Sequence, residues 1–320
     1  MKKKFYLLGL IVLITILLLV VFNDKKEDPL ISRNDKIPLD AIKITPKTDL
    51  NPPKSLYDEY HDPVPLPYPI NTAGGEDSAF IMPDGNTLYF WFTPDVNAPI
   101  SKQLHDGVTG IYVSYKSGNI WGEPKRVWLN EPGELSFDGC VYMSEDNIIW
   151  TCAVREGYNC PDYSGGMCWF KAELDLTKKI GKNPERVNFS DEWEVGELHI
   201  HEDKLYYHSK RPGGKGGLDI WVLTLDSSGS WSNPKNLNIN TERDEGFPAI
   251  SPDGTELWFS RDYALWRSKK MNDVWSEPEK MFSPLAGEAS IDKYGNIYFT
   301  HHFFEGDRMI EADIYVSYKK

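Results

Sequence analysis

Basic residues are scarce relative to acidic ones in this 320-residue sequence. Its 35 lysines and arginines stand against 48 aspartates and glutamates, which gives a formal net charge of -13. An acidic surface repels phosphate backbones, which argues against nucleic acid as a partner. The sequence also lacks a G-x-S-x-G elbow, a P-loop and a dinucleotide fingerprint, so it has none of the common nucleophile or nucleotide-binding motifs.

Cysteines are few, and all four lie in one stretch, at Cys140, Cys152, Cys160 and Cys168. They fit an oxidising compartment and allow three disulfide pairings. Cys140 and Cys152 flank a turn and would lie nearly opposite each other on two strands. Pairing Cys160 with Cys168 would instead pin a loop. A four-thiolate zinc site is the alternative, but the gaps of 11, 7 and 7 residues lack paired C-x-x-C spacing.

One long apolar run is present, from Phe5 to Phe22, preceded by Lys2, Lys3 and Lys4. Eighteen uncharged residues are just long enough to cross a bilayer as a helix. The lysines favour a cytoplasmic N-terminus. No small-x-small cleavage site follows, which favours an anchor over a cleaved signal peptide. We therefore expect residues 1–22 to anchor the chain in the cytoplasmic membrane, with the rest periplasmic or extracellular.

The next segment, residues 23–63, is polar and repeatedly interrupted by proline. These prolines are Pro29, Pro38, Pro46, Pro52 and Pro53. Because proline lacks a backbone donor, they forbid long helices or central strands. This composition predicts a stalk that packs little and separates the membrane from the domain.

Residues 64–320 repeat a hairpin unit. The clearest copy runs from Phe247 to Ser260: a short strand, a Pro-Asp-Gly turn and an aromatic-rich second strand. Weaker or partial copies begin near Ala79, Gly139, Glu197 and Ala289. The prolines that mark each unit's fourth strand lie 44 to 60 residues apart, the span of a four-stranded propeller blade. The sequence therefore predicts an all-β propeller, most simply of five four-stranded blades.

The last unit ends at Lys320 directly after its third strand. Upstream, Ile70-Asn71-Thr72 followed by Glu76 matches Ile239-Asn240-Thr241 followed by Glu245, with the same spacing. The second copy leads out of a fourth strand into the next blade. Residues 66–72 are therefore predicted to supply the missing strand of the last blade, which would remove an exposed sheet edge.

The units resemble the TolB-type Pro-Asp-Gly propeller repeats, a WD-repeat-like class of bacterial envelope proteins. The resemblance is strongest from Ser209 to Trp221 and in the turn Ser251-Pro252-Asp253-Gly254, and it covers roughly residue 64 to the end. It implies a propeller fold. For function it implies little, because such a family contains scaffolds, binding modules and a few enzymes.

Carboxylates recur at or near the starts of the predicted innermost strands. They are Glu76, Asp77, Asp138, Glu194, Glu197, Glu245 and Glu288. Five blades would gather about five carboxylates around one channel mouth, and such a ring invites a divalent cation or a basic ligand group. The alternative is that each carboxylate caps backbone N–H groups between blades.

Histidines form a second candidate set: His199, His201, His208, His301 and His302. Imidazoles beside carboxylates would suit a transition metal, but no H-E-x-x-H pattern sharpens that interpretation, and polar packing is the alternative. We place His199 in the candidate ligand site because it follows Glu197 closely on one strand.

We expect from these features a membrane-anchored binding or scaffold module whose partner is an envelope protein or a glycan. The alternative is a glycan-active enzyme at the channel mouth, either a glycosidase or a metal-assisted polysaccharide lyase. A glycosidase needs two carboxyl groups roughly 5 to 9 Å apart in an open cleft, whereas a binding module needs no such pair.

Overall fold

The computed structural model describes residues 32–129, 136–155, 168–187, 189 and 193–320. Nearly all regular structure in these residues is β-strand, as the sequence predicted, and the two helices among them are short: a 3-10 turn, Arg33–Lys36, and α1, Ile100–Gln103. Within these ranges, no helix has the length and apolar character needed to cross a membrane. The predicted anchor, Phe5–Phe22, lies outside the described residues.

The strands of the described residues form four sheets. Two short strands come first, β1 (Lys54–Ser55) and β2 (Val64–Pro65). Strand group one contains β3 (Gly75–Ile81), β4 (Thr87–Thr93), β5 (Gly110–Ser117), β6 (Ile120–Trp121) and β7 (Lys125–Arg126). Group two contains β8 (Ser136–Met143), β9 (Ile148–Arg155), β10 (Cys168–Asp175) and β11 (Ile180–Arg186).

Three more groups follow along the chain. Group three contains β12 (Leu198–His201), β13 (Lys204–Ser209), β14 (Asp219–Leu225) and β15 (Trp231–Asn236). Group four contains β16 (Gly246–Ile250), β17 (Glu256–Arg261), β18 (Ala264–Met271), β19 (Val274–Trp275) and β20 (Glu279–Ser283). Group five contains β21 (Ala286–Ile291), β22 (Ile297–Glu305) and β23 (Arg308–Ser317). Groups one and five share a nine-stranded sheet through a parallel pairing of Ala312 with Gly75.

Each group is a run of antiparallel hairpins, and the hairpin turns explain the repeated Pro-Asp-Gly. In the turn between β16 and β17, the Gly254 N–H donates to the Ser251 carbonyl, and the Asp253 carboxylate accepts from the Thr255 N–H. Gly254 has a φ of 71°, a backbone conformation that favours glycine. The following strand buries Leu257, Trp258 and Phe259, because other sheets pack on both of its faces.

The first strands of the groups lie side by side around a centre. Neighbouring pairs in contact are β3 and β8, β8 and β12, β12 and β16, β16 and β21, and β21 and β3. Four of these strands break register at the same point, where Ser78, Cys140, Phe247 and Glu288 have positive φ. This recurring β-bulge redirects one side chain of each strand.

A segment upstream of group one pairs with the outer edge of β23. Val64 pairs with Val316 and Pro65 with Tyr315. The strand therefore lies just upstream of the predicted residues 66–72. Within that stretch, the Asn71 side chain instead bonds both the N–H and the C=O of Ile314, at 2.9 Å each. Asn240 makes the same two contacts with Ile220, which explains why Ile-Asn-Thr recurs.

Residues 32–63, which we call the N-terminal strap, differ from the loosely packed stalk that their composition suggested. Arg33 is only 3% exposed, and β1 pairs with β20 of group four. Tyr60 packs edge-on against Trp258 and Phe282, with ring centroids 5.9 and 5.4 Å apart. The prolines exclude long regular elements, as expected, but they do not prevent side-chain packing on the sheets.

Cys140 and Cys152 form a disulfide between β8 and β9, with their Cα atoms 5.4 Å apart. Two of the four thiols are thereby consumed, so the alternative of a four-thiolate zinc site is wrong. Cys160 lies outside the described residues.

Candidate functional site

The bulge side chains converge at the centre of the ring of first strands. Ser78, Glu197, Phe247 and Glu288 line one small central cavity. Glu288 Oε2 accepts hydrogen bonds from the Ser78 N–H and hydroxyl, at 3.1 and 2.9 Å, and Glu197 Oε1 lies 3.4 Å from the same hydroxyl. Two carboxyl groups from groups three and five therefore meet at one serine of group one.

Asp77 and His302 extend this cluster. The ligand atoms of Asp77, Glu288 and His302 all lie within 4.8 Å of one another. His302 Nε2 is 3.7 Å from Asp77 Oδ1. Two carboxylates and an imidazole at this spacing are a donor set that could hold a divalent or transition metal ion. We call Asp77, Glu197, Glu288 and His302 the mouth cluster.

The carboxyl groups of the mouth cluster have divergent pKa values. Burial raises the pKa of Glu197 to about 8, with a further rise from the charge of Asp77. Burial, then the charges of Asp77 and Glu197, raise the pKa of Glu288 well above its ordinary value. Burial alone would raise the pKa of Asp77 as well, but the hydrogen bond and charge of His302, together with hydrogen bonds from Glu288 and the Ser78 N–H, lower that pKa. The environment therefore favours the proton on Glu288 and the negative charge on Asp77.

A cleft of about 720 Å³ opens from the mouth cluster between groups four and five. Glu288 and His302 lie at its inner end. Tyr263, which is 66% exposed, and Phe304 line its outer part, with ring centroids 5.9 Å apart. A deep end with titratable groups and an aromatic outer wall is the usual composition of a small-ligand site.

Two of the candidate carboxylates do not reach this cluster. Glu76 and Glu245 are fully buried. Glu76 accepts from the Thr72 N–H and hydroxyl, at 2.9 and 2.6 Å, and pairs with Arg33. Glu245 accepts from the Thr241 N–H and pairs with Arg261. Their partners are those of a structural cap, the alternative that the sequence left open.

Asp138 and His199 also lie apart from the mouth cluster. Asp138 is 2% exposed, and its charge opposes the lowering of the Arg126 pKa that burial causes. His199 packs against the rings of Phe80 and Tyr142, with centroids 5.7 and 5.2 Å away. Burial lowers the pKa of His199 to about 3, so it is a neutral packing residue rather than a cation.

The repeat explains which carboxylates converge and which do not. Glu76, Asp138 and Glu245 stand five residues before the last apolar residue of their first strands, Ile81, Met143 and Ile250, whereas Glu197 and Glu288 stand three before Ile200 and Ile291. Both repeat positions lie near the start of a first strand, so the sequence pattern alone does not separate them. Only the second is the bulge position that faces the centre.

Ser78 is the site residue that sequence reasoning missed, whereas Asp77 and His302 were named only within the wider sets of carboxylates and histidines. The sequence does distinguish Asp77, which stands at the position directly before the bulge. Four groups have glycine there, Gly139, Gly196, Gly246 and Gly287, and group one has Asp77. A charged side chain at a position that is otherwise glycine marks the one group with additional chemistry. His302 carries no such signal, because the extended β22 brings it to the centre.

No family model and no curated protein matches the chain. Among solved structures, an α-L-arabinofuranosidase from Lactobacillus brevis is similar over 76% of this chain and 90% of its own, at 12% identity and a TM-score of 0.51. An endo-1,4-β-xylanase from Bacteroides thetaiotaomicron is 13% identical over 76% and 90%, with a TM-score of 0.47. A gluconolactonase from Xanthomonas campestris is 10% identical over 84% and 95%, also with a TM-score of 0.47.

At such low sequence identities, the structural similarity is evidence about the fold alone. Together with the strand groups around a common centre, they define the chain as a β-propeller protein. The narrower TolB-type family stays a prediction.

Proposed function

We propose that this protein is a glycan-active enzyme, a glycosidase with its site at the channel mouth. The observation that carries the proposal is the closeness of Asp77 and Glu288, two carboxyl groups with oxygen atoms within 4.8 Å of each other, of which Glu288 lines the aromatic cleft. Their pKa values are shifted in opposite directions, that of Asp77 downward and that of Glu288 upward. Glycoside cleavage needs one carboxylic acid to protonate the leaving oxygen and one carboxylate to act as nucleophile or base. A binding or scaffold module, our expectation from the sequence, needs no such pair.

Glu288 is the proposed acid and Asp77 the proposed nucleophile. Their nearest carboxyl oxygens lie within 4.8 Å of each other, so we assign the pair to the retaining class, which has the shorter separation of about 5 to 5.5 Å, rather than to the inverting class. Asp77 would attack the anomeric carbon while Glu288 gives its proton to the departing oxygen. Glu288 would then deprotonate the water that hydrolyses the glycosyl ester. His302 would keep Asp77 ionised and oriented.

The outer cleft supplies the binding surface in this proposal. Tyr263 and Phe304 offer aromatic faces on which pyranose or furanose rings stack. Sugar bound there would place a glycosidic bond near Glu288, which lines the same cleft.

We also propose a blade architecture and a cellular location for this protein. The five strand groups would be five propeller blades, with residues 60–66 closing the last blade on β23. Residues 1–22 would anchor the chain as a single-pass helix, and the propeller would lie outside the cytoplasmic membrane, where envelope glycans are its substrates. The TolB-like repeats fit a protein of that compartment.

The full chain can be tested against a panel of aryl glycosides and envelope polysaccharides. We expect Glu288→Gln and Asp77→Asn to lower kcat by about 100-fold or more, the usual contribution of a general acid or nucleophile. Tyr263→Ala should chiefly raise KM. Glu145→Gln, at an exposed site in another strand group, is the matched control and should change neither.

Three outcomes contradict the glycosidase. Glycan binding without turnover, unaffected by Glu288→Gln, would support the binding module instead. Activity that a chelator removes and a divalent metal restores would support metal-assisted chemistry at Asp77, Glu288 and His302. Absence of both binding and turnover across the panel would leave the scaffold function.

A further inference from the structure

The cleft beside the mouth cluster has an unbalanced charge. Besides Glu288, the proposed protonated acid, its lining contains four acidic residues, Glu242, Asp244, Asp262 and Asp307, and two arginines, Arg243 and Arg261. The cleft is also lined by the apolar rings of Phe247, Tyr263 and Phe304, which lower the local dielectric constant around a bound ligand. Charge in such a cleft acts on a ligand more strongly than charge on an open surface.

Both arginines are already engaged by the protein. Arg261 donates to Glu245, at 2.6 Å, and to the Ile239 carbonyl, at 2.8 Å. Arg243 makes two hydrogen bonds to the Asp262 carboxylate, at 2.8 and 2.7 Å. Arg261 is therefore held in a buried structural pair, and Arg243, although exposed, is already paired with Asp262.

Two carboxylates at the cleft have no such partner. Within residues 32–129, 136–155, 168–187, 189 and 193–320, no side-chain hydrogen bond or ion pair engages Glu242 or Asp307. Among the described residues, the one side-chain hydrogen bond of Asp244 is from the Leu218 N–H, at 2.7 Å. The same cleft that Glu288 lines thus includes carboxylates that can pair with a positively charged ligand.

The aromatic residues favour the same kind of ligand. Tyr263 presents an exposed ring whose face attracts cations as well as sugar C–H groups. An ionised uronate or a phosphate would instead be repelled by the free carboxylates. A neutral sugar would use the rings but would leave the carboxylates without a partner.

We infer that the cleft selects a glycan with free amino groups, that is, one built from hexosamine residues without N-acetyl groups. The inference rests on the proposed function, because it names the substrate class of the same site. The ammonium groups would pair with Glu242 and Asp307 while the sugar rings stack on Tyr263. Removal of the acetyl group creates the charge that the cleft recognises.

The test is calorimetric binding of two oligosaccharides of equal length to the full chain, at about pH 6 and low salt. One is a β-1,4 glucosamine oligomer and the other its N-acetylated counterpart. We expect the glucosamine oligomer to bind at least about 10-fold more tightly, and this preference to shrink in high salt. Glu242→Gln and Asp307→Asn should each weaken its binding about 3- to 5-fold, the effect of one exposed ion pair, without changing the N-acetylated oligomer.

Asp58→Asn is the matched control, because Asp58 is exposed and outside the cleft lining. Equal affinity for the two oligomers, or equal effects of Asp307→Asn and Asp58→Asn, would overturn the inference. Binding or cleavage of N-acetylated or neutral oligosaccharides would then leave the glycosidase proposal intact. If no oligosaccharide of any charge binds or is cleaved, both the inference and the proposed function fail.

Discussion

Arg33 of the N-terminal strap forms with Glu76 the ion pair that Arg261 forms with Glu245 in strand group four. The N–O distances are 3.1 and 2.6 Å. Each arginine also donates to the carbonyl of the preceding repeat's isoleucine, Arg33 to Ile70 at 2.9 Å and Arg261 to Ile239 at 2.8 Å. The two arginines have the same contacts, although they lie in unrelated parts of the chain.

The reason lies in the residue opposite each glutamate. Glu76 faces Phe92 across β3 and β4, at the position that Arg261 occupies in group four. Group one therefore lacks its own cation, and Arg33 supplies it, with its guanidinium 5.0 Å from the Phe92 ring centre. Because both partners are nearly inaccessible to water, the pair holds the strap against the sheet.

Strand group five shows the opposite replacement. Ala286 stands at the position of Glu76 and Glu245, so the carboxylate is missing there, and the residue opposite is His301. Asp49 of the strap lies 3.3 Å from His301 Nε2. The strap thus gives a cation to group one and a carboxylate to group five.

Replacement of Arg33 by methionine should destabilise the protein by about 3 to 5 kcal/mol, because the carboxylate of Glu76 would remain buried without its charge partner. Adding Glu76→Gln should recover part of that loss. Urea unfolding measures both, and Lys36→Met, at an exposed position of the same 3-10 turn, is the control. Equal unfolding midpoints for Arg33→Met and Lys36→Met would contradict a structural role for the strap.

Truncation gives a second test of the strap. A chain that begins at residue 32 keeps Arg33, Lys43 and Asp49, whereas one that begins at residue 51 loses all three. Lys43 contacts the buried carboxylates of Glu311 and Asp313, so the shorter chain leaves several buried charges unpaired. We expect its melting temperature to be clearly lower. Identical melting curves would show that the strap packs without stabilising the domain.

The pH dependence of stability should reveal the protonated state of Glu197. Its pKa of about 8 lies above the ordinary value, so the folded state keeps a proton that the unfolded state has lost between roughly pH 4.5 and 8. The contribution of this group is therefore complete at low pH and is lost as the pH rises through that window. Glu197→Gln has no such proton to lose.

We therefore expect the free energy of unfolding of Glu197→Gln, relative to the wild type, to increase from about pH 5 to about pH 8. Urea titrations at the two pH values measure it, with Glu145→Gln as an exposed control. A difference that stays constant over this range would mean that Glu197 is ionised in the folded protein.

The Cys140–Cys152 disulfide closes a short loop, with a sequence separation of 12. The double variant Cys140→Ser, Cys152→Ser should lose about 3 kcal/mol of stability under oxidising conditions, because the unfolded chain regains the freedom that the bond removes. Chemical unfolding of the variant and the wild type, both without reductant, tests this value. Unchanged stability would mean that the hairpin of β8 and β9 is held by its packing alone.

The sequence by itself determined the all-β class and the repeated hairpins. Local physics is sufficient for these features: the turn at Ser251 to Gly254 needs only its own residues, and the apolar run Leu257 to Phe259 reports burial directly. The match between Asn71 and Asn240 also pointed to the edge of the last strand group, to within a few residues. Each of these signals is short-range in the chain.

Tertiary structure alone decided which carboxylates meet. A β-bulge in the first strands separates the position of the buried caps Glu76 and Glu245 from the position of the central Glu197 and Glu288. A regular alternation of inward and outward residues does not predict this bulge. His302 and Asp77 become neighbours only when groups one and five close on each other. The strap residues Arg33 and Asp49 have their partners 43 and about 250 residues away, and no local pattern encodes a charge pair across that distance.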